Sequence, residues 1–253
     1  MRAAISTVIT TSRRSLERFV ELQGMDRSMA LAGQAFAALM PLLIVVGAAS
    51  PAAGDDLADS LIDRLDLTGE AADTLRAAVA APADVYDSVS VTGALLLVIS
   101  ALSFTRALQR LYVLAWRLPP LGMKGNTWGL AWLAAFSVFW SVQPGVVEIF
   151  DGAIAVTVTI ATSSALWLFT PWILVGKAVP WRQLLPQALL TSFGLATLAV
   201  VSAVYLPRAV ASAAGQFGFI GVAFALLSWL FLVAFVLVAA AALGATVAQP
   251  AAQ

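Results

Sequence analysis

Residues 217–246 run for thirty positions without one charged side chain, and that continuity constrains the fold more than any other feature. A helix on the surface of a soluble domain alternates apolar and polar residues every third or fourth position; this stretch does not. A bilayer core about 30 Å thick is crossed by roughly 20 helical residues rising 1.5 Å each. Five more uncharged runs near that length lie at 29–50, 88–105, 128–147, 152–175 and 184–206. Helices are expected in all six, because an open sheet in hydrocarbon leaves backbone N–H and C=O groups unpaired, and the runs are too continuous for barrel strands. The fold expected is an all-α polytopic membrane protein, a single membrane domain over 1–253 with six transmembrane helices.

The basic residues orient these spans. Arg2, Arg13, Arg14, Arg18 and Arg27 precede the first, Arg106, Arg110, Arg117 and Lys124 separate the second from the third, and Lys177 and Arg182 separate the fourth from the fifth. Positive connections stay on the cytoplasmic side, so both termini are expected in the cytoplasm. Residues 1–27 are expected as a cytoplasmic interfacial helix, since Ile5, Val8, Ile9, Leu16, Phe19 and Val20 recur at helical spacing while the arginines occupy other faces. Trp128, Trp172 and Trp181 fall at the inner boundary and Tyr86 and Tyr205 at the outer one, where amphipathic rings favour the headgroup zone. Trp140, Trp167 and Trp229 lie deeper, in packing or along a cavity.

Residues 52–87 hold most of the carboxylates and are expected outside as an acidic helical loop. Leu57, Leu61 and Leu65, then Leu75, Ala78 and Val79, predict two short amphipathic helices around the break at "LTG", forming an external hairpin. That hairpin is either a solvated face kept outside by topology or a vestibule whose charge sets a local potential. Asp55, Asp59 and Asp63 share a helical face, but spacing alone does not make the convergent oxygen cage a hard cation needs, and no metal is assigned.

The chain has neither cysteine nor histidine, which removes disulfides, thiolate chemistry and the commonest metal ligand and general base. No span contains a central charge, and no buried carboxylate pair is evident. An enzyme is therefore not expected, nor is a cofactor. A formal net charge of zero gives no polybasic surface for nucleic acid.

Function inside the membrane rests on scattered polarity. Gln34 and Pro41 in the first span and Gln143 and Pro144 in the third are candidates for a cavity or translocation path. An amide in hydrocarbon needs a partner, so Gln34 either ties helices together or lines a cavity. Pro41 removes a backbone donor and is expected to kink its helix. The second span is expected to continue into "SFTRALQRLYVLAWRL", where Arg106, Arg110 and Arg117 return to nearly one azimuth. That basic stripe binds anionic lipid headgroups or a phosphorylated solute, or serves topology alone. Gly33 and Ala37, four apart, are suited to helix packing within or between chains, and the oligomeric state is not legible.

Three parts of the chain resemble the YihY/BrkB family of bacterial inner-membrane proteins. They are "ALAGQAFAALMPLLIVV" (30–46), "SFTRALQRLYVLAW" (103–116), and "AVPWRQLLPQALLTSF" (178–193) taken with "GFIGVAFALLSWLFLVAFVLVAAAALGATVA" (218–248). The chain departs from the family's frequent Leu-Gly-Ala-Glu ending, having Thr246 after Leu243, Gly244 and Ala245, and has Ala38 where a serine is frequent. The resemblance implies six spans with both ends inside and an association with envelope lipid traffic. The ribonuclease label carried by some relatives does not suit a chain without a His and carboxylate cluster or a basic groove. Together these features lead to an expected transporter or translocation protein for lipids or other amphiphiles, with membrane lipids, an anionic headgroup or an amphiphilic substrate as partners. The alternative is a non-transporting envelope protein acting through the external acidic helices.

Overall fold

The computed structural model describes residues 2–49, 59, 62–63, 69, 72–73, 76, 86–122, 124–148 and 152–249. Among them every regular element is an α-helix: α1 (Arg2–Glu21), α2 (Gly24–Ala49), α3 (Tyr86–Ala115), α4 (Lys124–Glu148), α5 (Gly152–Leu174), α6 (Trp181–Gly218) and α7 (Ile220–Ala248). Four stretches of described residues are long and apolar enough to cross a membrane: Leu95–Ala115, Thr157–Leu174, Trp181–Gly218 and Ile220–Ala248. They correspond to the second, fourth, fifth and sixth expected spans, while those at 29–50 and 128–147 fall on α2 and α4.

Several boundaries differ from expectation for local reasons. The N-terminal helix stops at Glu21 rather than 27, because Gln23 adopts φ 51° and α2 begins at once. Glycine is required at position 24, since a Cβ there would collide with the Phe19 ring. The expected connection at 207–216 is helical: α6 runs through Pro207 and Arg208 and ends only at Gly218, whose φ 58° and ψ −142° suit glycine alone. Close return of the chain is possible because Gly221 lies against the carbonyl of Ala213, where a side chain has no room. The α2 helix continues through Pro41, and α4 through Pro144, without a break in helical residues.

The chain divides into two compact units. One comprises Met1–Met29, Thr105–Ala196 and Ala234–Gln253. Its interior holds Leu108, Leu111, Tyr112, Trp116, Leu184 and Val238. Lipid tails are as apolar as leucine, so helix association there depends on close packing and interhelical hydrogen bonds. Both occur. Gly244 of α7 lets the backbone of Gln187 on α6 approach so closely that a Cβ would sit 2.6 Å from Gln187 Cα. Trp116 Nε1 donates to Gln187 Oε1 at 2.7 Å, and Gln109 Nε2 donates to the carbonyls of Gly125 (3.2 Å) and Leu174 (2.9 Å). Between α4 and α5, Trp132 Nε1 donates to Thr170 Oγ1 and Gln143 Nε2 to Thr162 Oγ1, each at 3.1 Å.

The other unit comprises Ala30–Phe104 and Thr197–Val233. Ile62 and Ala72 are buried with Val210, flanked by Leu206, Val222 and Ala225. Arg76 bonds Asp59 at 3.1 Å across this segment, and Gly69 turns at φ 60° where "LTG" predicted a break. Leu57, Leu61, Leu65, Leu75, Ala78 and Val79 lie outside the described residues, so the predicted leucine stripes fall there; of the aspartate triplet Asp55 does too, while Asp59 and Asp63 are exposed and Asp59 is paired with Arg76. Trp229 Nε1 donates to Ser202 Oγ at 2.8 Å, tying α7 to α6. Gly33 is exposed with nothing within 4 Å of where its Cβ would be.

Candidate functional site

One polar concavity of the first unit is built from helix ends. At the C-terminus of α3, Trp116 N donates to Tyr112 O, and Leu118 N reaches back to Val113 O at 2.9 Å. This six-to-one bond closes a Schellman motif around Arg117, which adopts φ 53°. Arg117 therefore leaves the helix. The single stripe expected for Arg106, Arg110 and Arg117 is not formed, because azimuths of 100° per residue apply only up to Ala115. Arg106 and Arg110 remain exposed on α3, while Arg117 turns toward α1.

The last turn of α3 leaves carbonyls without intrahelical donors. Arg18 of α1 donates to two of them: its Nη2 reaches Ala115 O at 2.8 Å and Leu114 O at 3.0 Å, the latter also accepting from Arg117 N at 3.1 Å. A guanidinium here also meets the negative end of the α3 dipole. The same side chain donates through Nη1 to Glu21 Oε2 at 2.8 Å and is only 13% exposed. Packing of Phe19 edge-to-face on Phe235, centroids 5.4 Å apart, and burial of Leu22 hold this face of α1 in place. Leu16 and Val20 stay exposed. The side chains of Ile5, Val8 and Ile9 lie outside the described residues.

Between α1, Arg117 and the end of α7 lies a cavity of about 250 Å³, lined by Arg14, Glu17, Arg18, Glu21, Arg117, Ala245, Thr246 and Gln249. Glu21 Oε2 accepts from both Arg18 and Arg117, the latter at 3.4 Å. The Arg18 hydrogen bond is the main reason the Glu21 carboxyl is held below its ordinary value, with the charges of Arg18 and Arg117 adding to it. Glu17 bonds Arg13 at 2.8 Å, and that bond and charge raise the Arg13 guanidinium further. Arg14 makes no ion pair among the described residues. Three arginines against two glutamates leave the cleft with surplus positive charge.

The other expected site residues are not gathered here. Gln34 lies in the second unit, half-buried, with Oε1 buried and without a hydrogen-bond partner among the described residues. Gln143 is spent on Thr162, which makes it a tie between α4 and α5. Pro41 and Pro144 lie within helices α2 and α4. Trp140 is 58% exposed and meets Phe136 and Phe139 edge-on. At the α5 end, Lys177 lies over Trp172 (4.7 Å) and Trp128 (5.3 Å), an arrangement suited to a headgroup boundary.

Arg14, Glu17, Arg18, Glu21, Thr246 and Gln249 were not singled out as site residues from the sequence. A signal existed in α1, because positions 14, 17, 18 and 21 recur at i, i+3, i+4 and i+7 and so share one face. Nothing local indicated that Arg117 and Thr246 close the other side.

The sequence pattern of the family described as virulence factor BrkB matches residues 15–253. The chain belongs to that family. The family match takes in α2 to α7 whole and the cleft from Glu17 to Gln249, with Arg14 just before it. No curated protein and no solved structure matches the chain. Family membership and the long apolar helices make this a membrane protein.

Proposed function

We propose that this BrkB-family protein crosses the bacterial inner membrane six times with both ends in the cytoplasm and moves lipids or other amphiphiles across that membrane. The observation that carries the reading is the arginine-lined cleft at the ends of α1, α3 and α7, which has surplus positive charge and in which Arg14 makes no ion pair among the described residues. It is supported by the exposed Leu16 and Val20 on the same helix. An amphiphile-handling site needs both a charged receptor for the headgroup and apolar surface at the acyl boundary. Arg106 and Arg110, exposed on α3, are further headgroup contacts on this reading, and Gln34 with its unpartnered oxygen is a polar point along the path.

Reconstitution in liposomes carrying a fluorescent phospholipid tests it. Faster exchange between leaflets than in empty liposomes is expected, with Arg106→Gln/Arg110→Gln slower than the parent. Exchange at the empty-liposome rate in correctly folded preparations refutes translocation. A second reading, an envelope protein acting through the acidic segment, is favoured by the buried cluster of Ile62 and Ala72 with Val210, which anchors those two positions of the segment. Deleting residues 55–81 abolishes function on that reading and alters only rate or selectivity on the first.

A further inference from the structure

Resting on the reading of the α1–α3–α7 cleft as a headgroup receptor, we propose that it selects one lipid chemistry: a monoanionic phosphodiester whose headgroup carries hydroxyl donors, as in a glycerol phospholipid. The inference follows from which atoms of the cleft remain unengaged. Arg18 is committed to the carbonyls of Leu114 and Ala115 and to Glu21. Arg14 has no ion pair among the described residues, and Arg117 has one long contact, 3.4 Å to Glu21. These two guanidiniums are the donors left for a phosphate, to which arginine binds with charge-assisted, often bidentate hydrogen bonds.

The remaining groups are acceptors. Glu21 uses Oε2 and Glu17 uses Oε1 in the ion pairs, leaving the second oxygen of each carboxylate. The Thr246 hydroxyl already donates to Ala242 O at 2.8 Å, so its lone pairs face any ligand as acceptors. A suitable ligand therefore brings one negative phosphate and, a short distance away, hydroxyl or ammonium hydrogens. Charge separates these two. The lining arginines exceed the glutamates by one, which matches a net charge of minus one on a glycerol phosphodiester better than the net zero of an ethanolamine zwitterion. A choline headgroup offers neither net charge nor a donor. At about 250 Å³ the cavity is smaller than the roughly 300 Å³ at which pockets for whole drug-sized ligands begin, so it admits a headgroup while the acyl chains stay outside.

The test uses the full chain in detergent, offered equal amounts of phosphatidylglycerol, phosphatidylethanolamine and phosphatidylcholine with identical acyl chains, and retained lipid is read by native mass spectrometry. The order expected is glycerol, then ethanolamine, then choline. Arg14→Gln breaks no ion pair among the described residues and should lower glycerol-lipid retention about fivefold, the factor that corresponds to one arginine beside an anionic lipid. Arg117→Asn, which keeps a residue tolerant of the left-handed conformation, should do the same, and Arg182→Gln should not. Equal retention of the three lipids, or a preference unchanged in Arg14→Gln, overturns the proposal. In a parallel arm, displacement of the lipid by inorganic phosphate or glycerol 1-phosphate at comparable concentration overturns the assignment to a lipid source, whereas persistence of the lipid supports it. Retained preference without lipid movement in liposomes fails the translocation reading alone. Lipid movement without preference fails this inference alone.

Discussion

Replacing Gly244 by alanine tests how the first unit is held together. The new Cβ would lie 2.6 Å from Gln187 Cα and 2.9 Å from Gln187 N, against optimal carbon separations of about 3.5–4.0 Å. Those are backbone atoms of α6 and cannot rotate away, so the two helices must move apart by about 1 Å. Overpacking of this kind costs about 1–3 kcal/mol. The shift also stretches the 2.7 Å bond from Trp116 to Gln187, whose amide nitrogen already lacks a partner, at about 1 kcal/mol more. Alanine gains about 1 kcal/mol over glycine in intrinsic helix propensity, and that gain must be removed to see the packing. Gly33→Ala removes it: the same substitution in a helix, with nothing within 4 Å of the new Cβ. The two variants should therefore differ by about 2–4 kcal/mol, or roughly 30- to 700-fold in the unfolding constant. Reversible unfolding in mixed micelles, followed by loss of helicity, measures both. Coincident curves for Gly244→Ala and Gly33→Ala would refute the claim that backbone approach at Gly244 holds α6 to α7.

Gln109→Leu removes two donations, to Gly125 O and Leu174 O, and should cost about 1–2 kcal/mol in the same assay, given averages near 0.6 kcal/mol per bond between membrane helices and added loss from orphaned carbonyls. Arg18→Gln uncovers the α3 carbonyls and should cost about 1–2 kcal/mol, the upper part of the range for a cation at a partly buried helix end; hydrogen exchange should rise in α1 and the last turn of α3, and unchanged exchange there would refute the cap. Because the Glu21 carboxyl is held low by Arg18, its contribution to docking α1 is fully present above the ordinary glutamate value of about 4.3 and is lost as pH falls through the depressed one. Protection of the α1 amides relative to their intrinsic exchange rate should thus be constant from neutral pH to about pH 5 and fall in stronger acid, a step that Glu21→Gln abolishes. For topology, the cysteine-free chain accepts single labels at Ser12→Cys and Asp63→Cys; an impermeant maleimide should reach Asp63→Cys in intact cells and Ser12→Cys only after permeabilisation, and the reverse pattern would overturn the orientation.

Long uncharged runs made the helical class and the four stretches long and apolar enough to cross a membrane legible, because burying a backbone in hydrocarbon leaves few structural options. The segment "SFTRALQRLYVLA" was read as a continuation of its span for the same local reason, and α3 does continue to Ala115. The turn at Gly69 was legible too. Where α6 ends was not: Pro207 and Arg208 look like a connection, yet the helix stops only where Gly218 permits a positive φ.

The cleft belongs to the tertiary structure. Its α1 face is periodic in the sequence at positions 14, 17, 18 and 21, but the stripe acquires a partner only when α3 ends in a left-handed Arg117 and α7 brings Thr246 beside it. Helical periodicity extends no further than a helix does, so arithmetic on Arg106, Arg110 and Arg117 failed at Ala115, where a backbone hydrogen bond from Leu118 to Val113 reverses the chain. By itself the sequence determined the solvent of this protein, since hydropathy adds along a run. Which arginine meets which carboxylate was decided by folding, since that depends on contacts between residues up to 96 positions apart.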